Sequence, residues 1–119
     1  TVINVYEDKF DLASSYYAVK PGSSRDKHRL VRLKEEHLAI HNNILKEAAD
    51  SLKEMGVNPS THLVEGHPAQ AIIEYAEKEQ YNLIVIGSRG WGGLKKTLLG
   101  SVSSAVVQEA KNCIVAVVK

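Results

Sequence analysis

Two kinds of apolar run alternate along the chain, and that alternation limits the fold more than any other feature. Short blocks rich in β-branched residues occur at Thr1–Tyr6, Thr61–Glu65, Asn82–Gly87 and Cys113–Val118. Between them lie longer stretches whose apolar residues recur at helical spacing. Strands joined in this order by helical segments require right-handed crossovers, which build an open parallel α/β sheet with helices on both faces. Leu83-Ile84-Val85-Ile86 and Ile114-Val115-Ala116-Val117-Val118 show no alternation of apolar with polar residues. Strands of that kind are expected to be covered on both faces.

The helical segments carry their own start and stop signals. Pro21-Gly22 reads as a turn, and Ser23 with Asp26 has the spacing of a capping box in which Asp replaces the usual Glu. Val31, Leu38, Leu45 and Leu52 then recur every seven residues, with Ala48 and Met55 beside them. This predicts one long helix with a single buried stripe, closed by Gly56 in a left-handed cap. A second helix is predicted from Pro68, whose missing N–H suits a first helical position, to about Glu79, and a third from about Ser101 to Lys111. Glu7 to Lys20 shows no periodicity and reads as a loop.

Composition narrows the class. At 119 residues the chain is expected to form one domain with a core large enough to stand without metal or disulfide staples. Its one cysteine, Cys113, excludes an internal disulfide, so a reducing, cytoplasmic setting is the default. Fifteen Lys and Arg against 14 Asp and Glu give a net charge of +1, which argues against a nucleic-acid binder that must neutralise many phosphates on one face. No apolar run approaches the roughly 18 residues of a membrane-spanning helix, and no basic stretch with a signal-peptide core opens the chain. No membrane partner is expected.

One segment carries chemistry. After the third strand the chain reads Gly87-Ser88-Arg89-Gly90, then nine residues, then Gly100-Ser101-Val102-Ser103. Glycines lack a Cβ and let the backbone approach a ligand closely. A helix opening at Gly100-Ser101 points unpaired N–H groups and the positive end of its dipole outward. Those amides, the Ser101 and Ser103 hydroxyls and the Arg89 guanidinium form a seat for a phosphate chain. The same residues support a plainer reading, in which Ser101 is an N-cap and the glycine-rich stretch is only a loop. Neither the G-x-x-x-x-G-K-[ST] nor the G-x-G-x-x-G phosphate motif is present.

Gly-x-x-Gly, nine residues, then Gly-Ser resembles the ATP-binding signature of the universal stress protein family. Val64-Glu65-Gly66-His67-Pro68-Ala69, followed by Ile72 and Ile73, and Leu83 through Gly90 are similar to the same family in the same order. The resemblance implies a five-stranded parallel sheet in the order 3-2-1-4-5, a homodimer paired through the last strand, and ATP, ADP or AMP at the carboxyl edge, with Mg²⁺ or Mn²⁺ accompanying the nucleotide. Carried over by position, it places the phosphates on Gly87, Gly90, Gly100 and Ser101, the ribose and phosphates near Val102 and Ser103, and adenine between Val5 and Ile86. Val5 and Ile86 also read as ordinary core residues.

One departure from the family is large. Its members begin with a strand ending in Asp, followed by a helix, whereas this chain opens on what corresponds to the second strand, so that strand 1 of the 3-2-1-4-5 order is missing from the sequence. Its loss from the centre of a sheet leaves a gap of about 9–10 Å, twice the normal strand spacing, with two rows of unpaired backbone groups. The expectation is a longer protein with about 25 to 35 further residues, one strand–helix unit, or a strand supplied by another chain. A lesser departure is Asn112-Cys113-Ile114, where many members place Pro after Cys.

The remaining reactive side chains form no catalytic set. His37 and His41 have the spacing of two metal ligands on one helix face, but no third ligand is evident and His41 lies on the apolar seam, so no metal site is expected. His67 opens a helix close to the expected site. Lys95 and Lys96 read as solvated loop residues, although they also suit a γ-phosphate. Trp91, Leu94, Leu98 and Leu99 are apolar on a loop that should face water, which suggests cover against the sheet edge or a partner. Cys113 reads as packing. The function expected is adenine-nucleotide binding in a stress-response regulator. Slow ATP hydrolysis or phosphoryl transfer is one alternative, and a dimerisation module with a vestigial site is another.

Overall fold

The computed structural model describes residues 1–9, 24–89 and 99–119. Their elements run β1 (Val2–Tyr6), α1 (Ser24–Glu54), β2 (Thr61–Glu65), α2 (Pro68–Lys78), β3 (Leu83–Gly87), α3 (Ser101–Glu109) and β4 (Ile114–Val118). The protein is α/β, and both strand pairings are parallel: Val2 to Tyr6 lies in register with Thr61 to Glu65, and Leu83 to Gly87 with Ile114 to Val118. These form two two-stranded sheets, β1–β2 and β3–β4. They belong to two compact units, Thr1–Gly66 and His67–Lys119. The Ser23 start of the predicted capping box and most of the Glu7–Lys20 loop lie outside the described residues.

In the first unit α1 packs on β1–β2. Leu45 and Ala49 are buried, whereas Val31 and Met55, expected on the same stripe, are 57 % and 76 % exposed. Length explains the correction. A 31-residue helix is about 46 Å long, while a five-residue strand spans about 17 Å, so the sheet covers only part of α1. A heptad stripe also drifts about 20° per repeat around a straight helix. Asn4 fastens the contact from below, donating its side-chain amide to the His41 carbonyl at 3.1 Å. The helix ends as expected. Gly56 sits at φ 83, Val57 N–H reaches the Leu52 carbonyl at 2.9 Å and Gly56 N–H the Lys53 carbonyl at 2.9 Å, the paired bonds of a Schellman cap.

In the second unit Ala69, Ala76, Ile84 and Val106 form a core, with Ile72, Ile73, Ile86, Val102, Ala105, Cys113 and Val115 against it. Pro68 occupies the first turn of α2, behind His67 as N-cap. The sheet here is not apolar on two covered faces, as its sequence suggested. Leu83, Val85, Ile114 and Val118 are 50 %, 64 %, 72 % and 55 % exposed, while Ile84, Ile86 and Val115 pack inward. The helices of this unit cover one face of β3–β4, and strand geometry then sends alternate residues to water. No helix among the described residues is long and apolar enough to cross a membrane.

Candidate functional site

Because β3 and β4 are parallel, their carboxyl ends lie together, with Gly87 beside Val118. Ser88 continues the ladder, its N–H donating to the Val118 carbonyl at 2.7 Å. The Ser88 carbonyl then ties the end of the strand to the start of α3: it accepts the Gly100 N–H at 2.8 Å and lies 3.2 Å from the Ser103 hydroxyl. That hydroxyl is also 3.0 Å from the Gly100 carbonyl. A serine hydroxyl has a single proton, so it donates to one of these carbonyls at a time. Ser88 and Ser103 are 7 % and 3 % exposed, so the tie is a buried one.

The consequence is a helix start held at the strand end. Gly100 is the N-cap, with extended backbone at φ −62 and ψ 158, and its carbonyl accepts the first helical bond, from Ser104 N–H at 2.9 Å. The N–H groups of Ser101, Val102 and Ser103 precede that bond and have no intrahelical acceptor. The first turn of α3 carries no acidic residue, so nothing within it neutralises the positive end of the dipole. Arg89 is exposed, one residue beyond the tie.

The glycines are informative because neither their backbone angles nor their described neighbours require them. Neither Gly87 nor Gly100 has a positive φ. A Cβ on Gly100 would lie 3.5 Å from the Ser88 carbonyl oxygen and 3.6 Å from Ser103 Oγ, and one on Gly87 would lie 3.5 Å from the Arg89 carbonyl oxygen, all ordinary contacts. What a glycine supplies at such positions is bare backbone.

The structure therefore gathers Gly87, Arg89, Gly100, Ser101, Val102 and Ser103 at one corner of the second unit. Ser101 is the first residue of α3 and not its N-cap, which corrects the plainer sequence reading. Ile86 is half-buried against the core of this unit. Val5 belongs to the first unit, paired with Val64. Gly90 lies outside the described residues, as do Trp91, Leu94, Lys95, Lys96 and Leu98, while Leu99 is exposed. Sequence reasoning missed Ser88, whose contribution comes from its carbonyl and so leaves no mark on residue type. His67 is exposed and makes no side-chain capping bond. The Cys113 thiol points to the Tyr81 carbonyl at 2.9 Å. No group of three or more His, Cys, Asp or Glu among the described residues could hold a metal ion.

Parallel strand pairs, helical crossovers and a helix N-terminus at a strand's carboxyl end define a protein of the open parallel α/β class. The chain belongs to the universal stress protein family, whose sequence profile matches residues 1–119. It is 45 % identical over 75 residues to universal stress protein MJ0531 of Methanocaldococcus jannaschii, a match covering 63 % of this chain and 44 % of that protein. It is 45 % identical over 65 residues to universal stress protein YxiE of Bacillus subtilis, covering 55 % and 44 %. Universal stress protein MJ0577 of Methanocaldococcus jannaschii is 34 % identical over 86 residues, covering 72 % and 51 %. The chain thus spans about half the length of these curated relatives. A solved structure of MJ0577 superposes with a TM-score of 0.64 at 29 % identity, over 98 % of this chain and 72 % of that one.

Proposed function

We propose that the protein binds an adenine nucleotide (ATP, ADP or AMP), with its phosphates at the β3–α3 corner, and acts in a stress response. The observation that carries this reading is the start of α3: three amides with no intrahelical acceptor and a first turn with no acidic residue, held at the end of β3 by the buried Ser88–Gly100–Ser103 tie. Gly87 and Gly100 let phosphate oxygens approach the backbone, and the amides of Ser101, Val102 and Ser103 donate to them. Arg89 adds a charge-assisted contact. Gly90 falls in the same signature. A divalent cation, Mg²⁺ or Mn²⁺, would arrive on the phosphates.

The same reading includes a cytoplasmic homodimer paired through β4. Support comes from the strand itself: β4 pairs with β3 alone among the described residues, and Ile114 and Val118 are exposed beside the open edge.

The test is nucleotide retention and its stabilisation. Mass spectrometry of the ligand released from gently purified protein should detect an adenine nucleotide. ATP at about 100 times its Kd should stabilise by about 2.7 kcal/mol. Gly100→Val should abolish that effect, because valine methyls extend over the amides while its Cβ makes only ordinary contacts. Protein that elutes empty and melts unchanged in saturating ATP, with or without Mg²⁺, would refute the proposal.

A further inference from the structure

Beneath α1, far in sequence from the nucleotide corner, three rings meet. The His37 and His41 imidazoles are one helical turn apart with centroids 4.7 Å from each other, and the Tyr6 ring of β1 lies 6.3 Å from His37 and 5.8 Å from His41. His41 Nδ1 is buried and has no hydrogen-bond partner among the described residues. The Asn4 amide on the same face of β1 is engaged by the His41 backbone carbonyl, so it does not serve the ring.

The charged groups around this cluster are already occupied. From β2, Glu65 accepts the Tyr6 hydroxyl at 3.0 Å. From α1, the Lys34 ammonium pairs with Asp8, just beyond β1. The Lys34 pKa is raised, chiefly by that hydrogen bond, and the Tyr6 pKa is raised by burial and then by the bond to Glu65. Neither carboxylate bonds to His41, and its neighbour one turn away on the helix is a second imidazole. A proton on His41 therefore introduces a charge beside His37 and a new N–H donor that has no partner among the described residues.

We propose that His41, set against His37 and Tyr6, is a proton-sensitive latch whose protonation loosens α1 from the β1–β2 sheet. Burial first, and then the charge of a protonated His37, lower the His41 pKa. The sign follows by linkage. The folded value lies below the unfolded value of about 6.5, so the unfolded chain binds more protons near that pH. The stabilisation is fully present above about pH 6.5 and is lost as the pH falls through the folded value.

The experiment follows the histidine ring signals of the protein by NMR and measures amide protection factors in α1 and α2 at pH 7.5 and 5.5. The His41 midpoint should lie below that of the same residue in urea-unfolded protein. Protection of α1 amides near residues 41–50 should fall by about fivefold or more on acidification, with α2 changing less. His41→Leu should remove most of that fall, whereas His28→Leu, at an exposed position on the same helix, should preserve it. A His41 midpoint at or above the unfolded one would overturn the latch even if the leucine variant did not fold, and so would an undiminished acid response in folded His41→Leu. Neither outcome bears on nucleotide binding.

Discussion

Replacing Ser103 by alanine separates two uses of the same residue. Ser103 is 3 % exposed, and its hydroxyl lies within hydrogen-bond distance of two carbonyls, of Ser88 and Gly100. Each carbonyl keeps another donor after the change, Gly100 N–H at 2.8 Å and Ser104 N–H at 2.9 Å respectively. No acceptor is stranded, so the cost is one net hydrogen bond, about 1 kcal/mol, without an added desolvation penalty. Alanine is the better helix former by a few tenths of a kcal/mol, which brings the net loss to about 0.5 kcal/mol. With an unfolding entropy of about 2.1 cal/mol/K per residue, this chain should melt about 2 °C lower. Because the hydroxyl already serves the backbone, phosphate contact at this position falls to the amide, and ATP affinity should stay within about threefold of the parent, about 0.65 kcal/mol. Thermal melts followed by circular dichroism and titration calorimetry with ATP read the two quantities. A melting loss above about 8 °C would show that the tie carries far more than one bond. An affinity loss of about tenfold or more with stability intact would show the hydroxyl on the phosphate instead.

Three other perturbations probe separate parts of the molecule. Leu45→Ala should cost about 3 kcal/mol in urea unfolding, since Leu45 is 5 % exposed, whereas Val31→Ala on the overhanging end of α1 should stay within about 0.5 kcal/mol; equal costs would restore the seven-residue stripe. Gly56→Ala should destabilise by about 1 kcal/mol through its φ of 83 alone, because a Cβ there meets nothing within 4 Å, and Gly56→Asn should recover part of that loss. Ile114 N–H donates to the Asn82 carbonyl, so alternate amides at Val115 and Val117 point away from β3. Val117→Pro should then shift the mass measured by light scattering from dimer to folded monomer, and a dimer that survives the change is not paired through β4.

The comparison of sequence with structure is clearest where the two part. The strands at Thr61–Glu65 and Val2–Tyr6, the Pro68 helix start and the Gly56 cap follow from residue type and spacing, because each depends on local chemistry. The β3–α3 corner was half legible. Gly87, Gly100 and Ser101 mark it, but the tie that holds it runs through the Ser88 carbonyl, and every residue has a carbonyl. The Val31 and Met55 positions were misjudged because a repeat along one helix does not reveal how long the surface beneath it is.

By itself, then, the order of residues determined the element types, their parallel sense and the family, since those depend on periodicity, turn chemistry and a spaced glycine signature. Tertiary structure decided which apolar side chains are covered, that Ser103 gives its hydroxyl to the backbone, and that His41 meets Tyr6 under α1. Burial and hydrogen-bond partnership are properties of pairs of segments distant along the chain, and only the folded molecule brings those segments together.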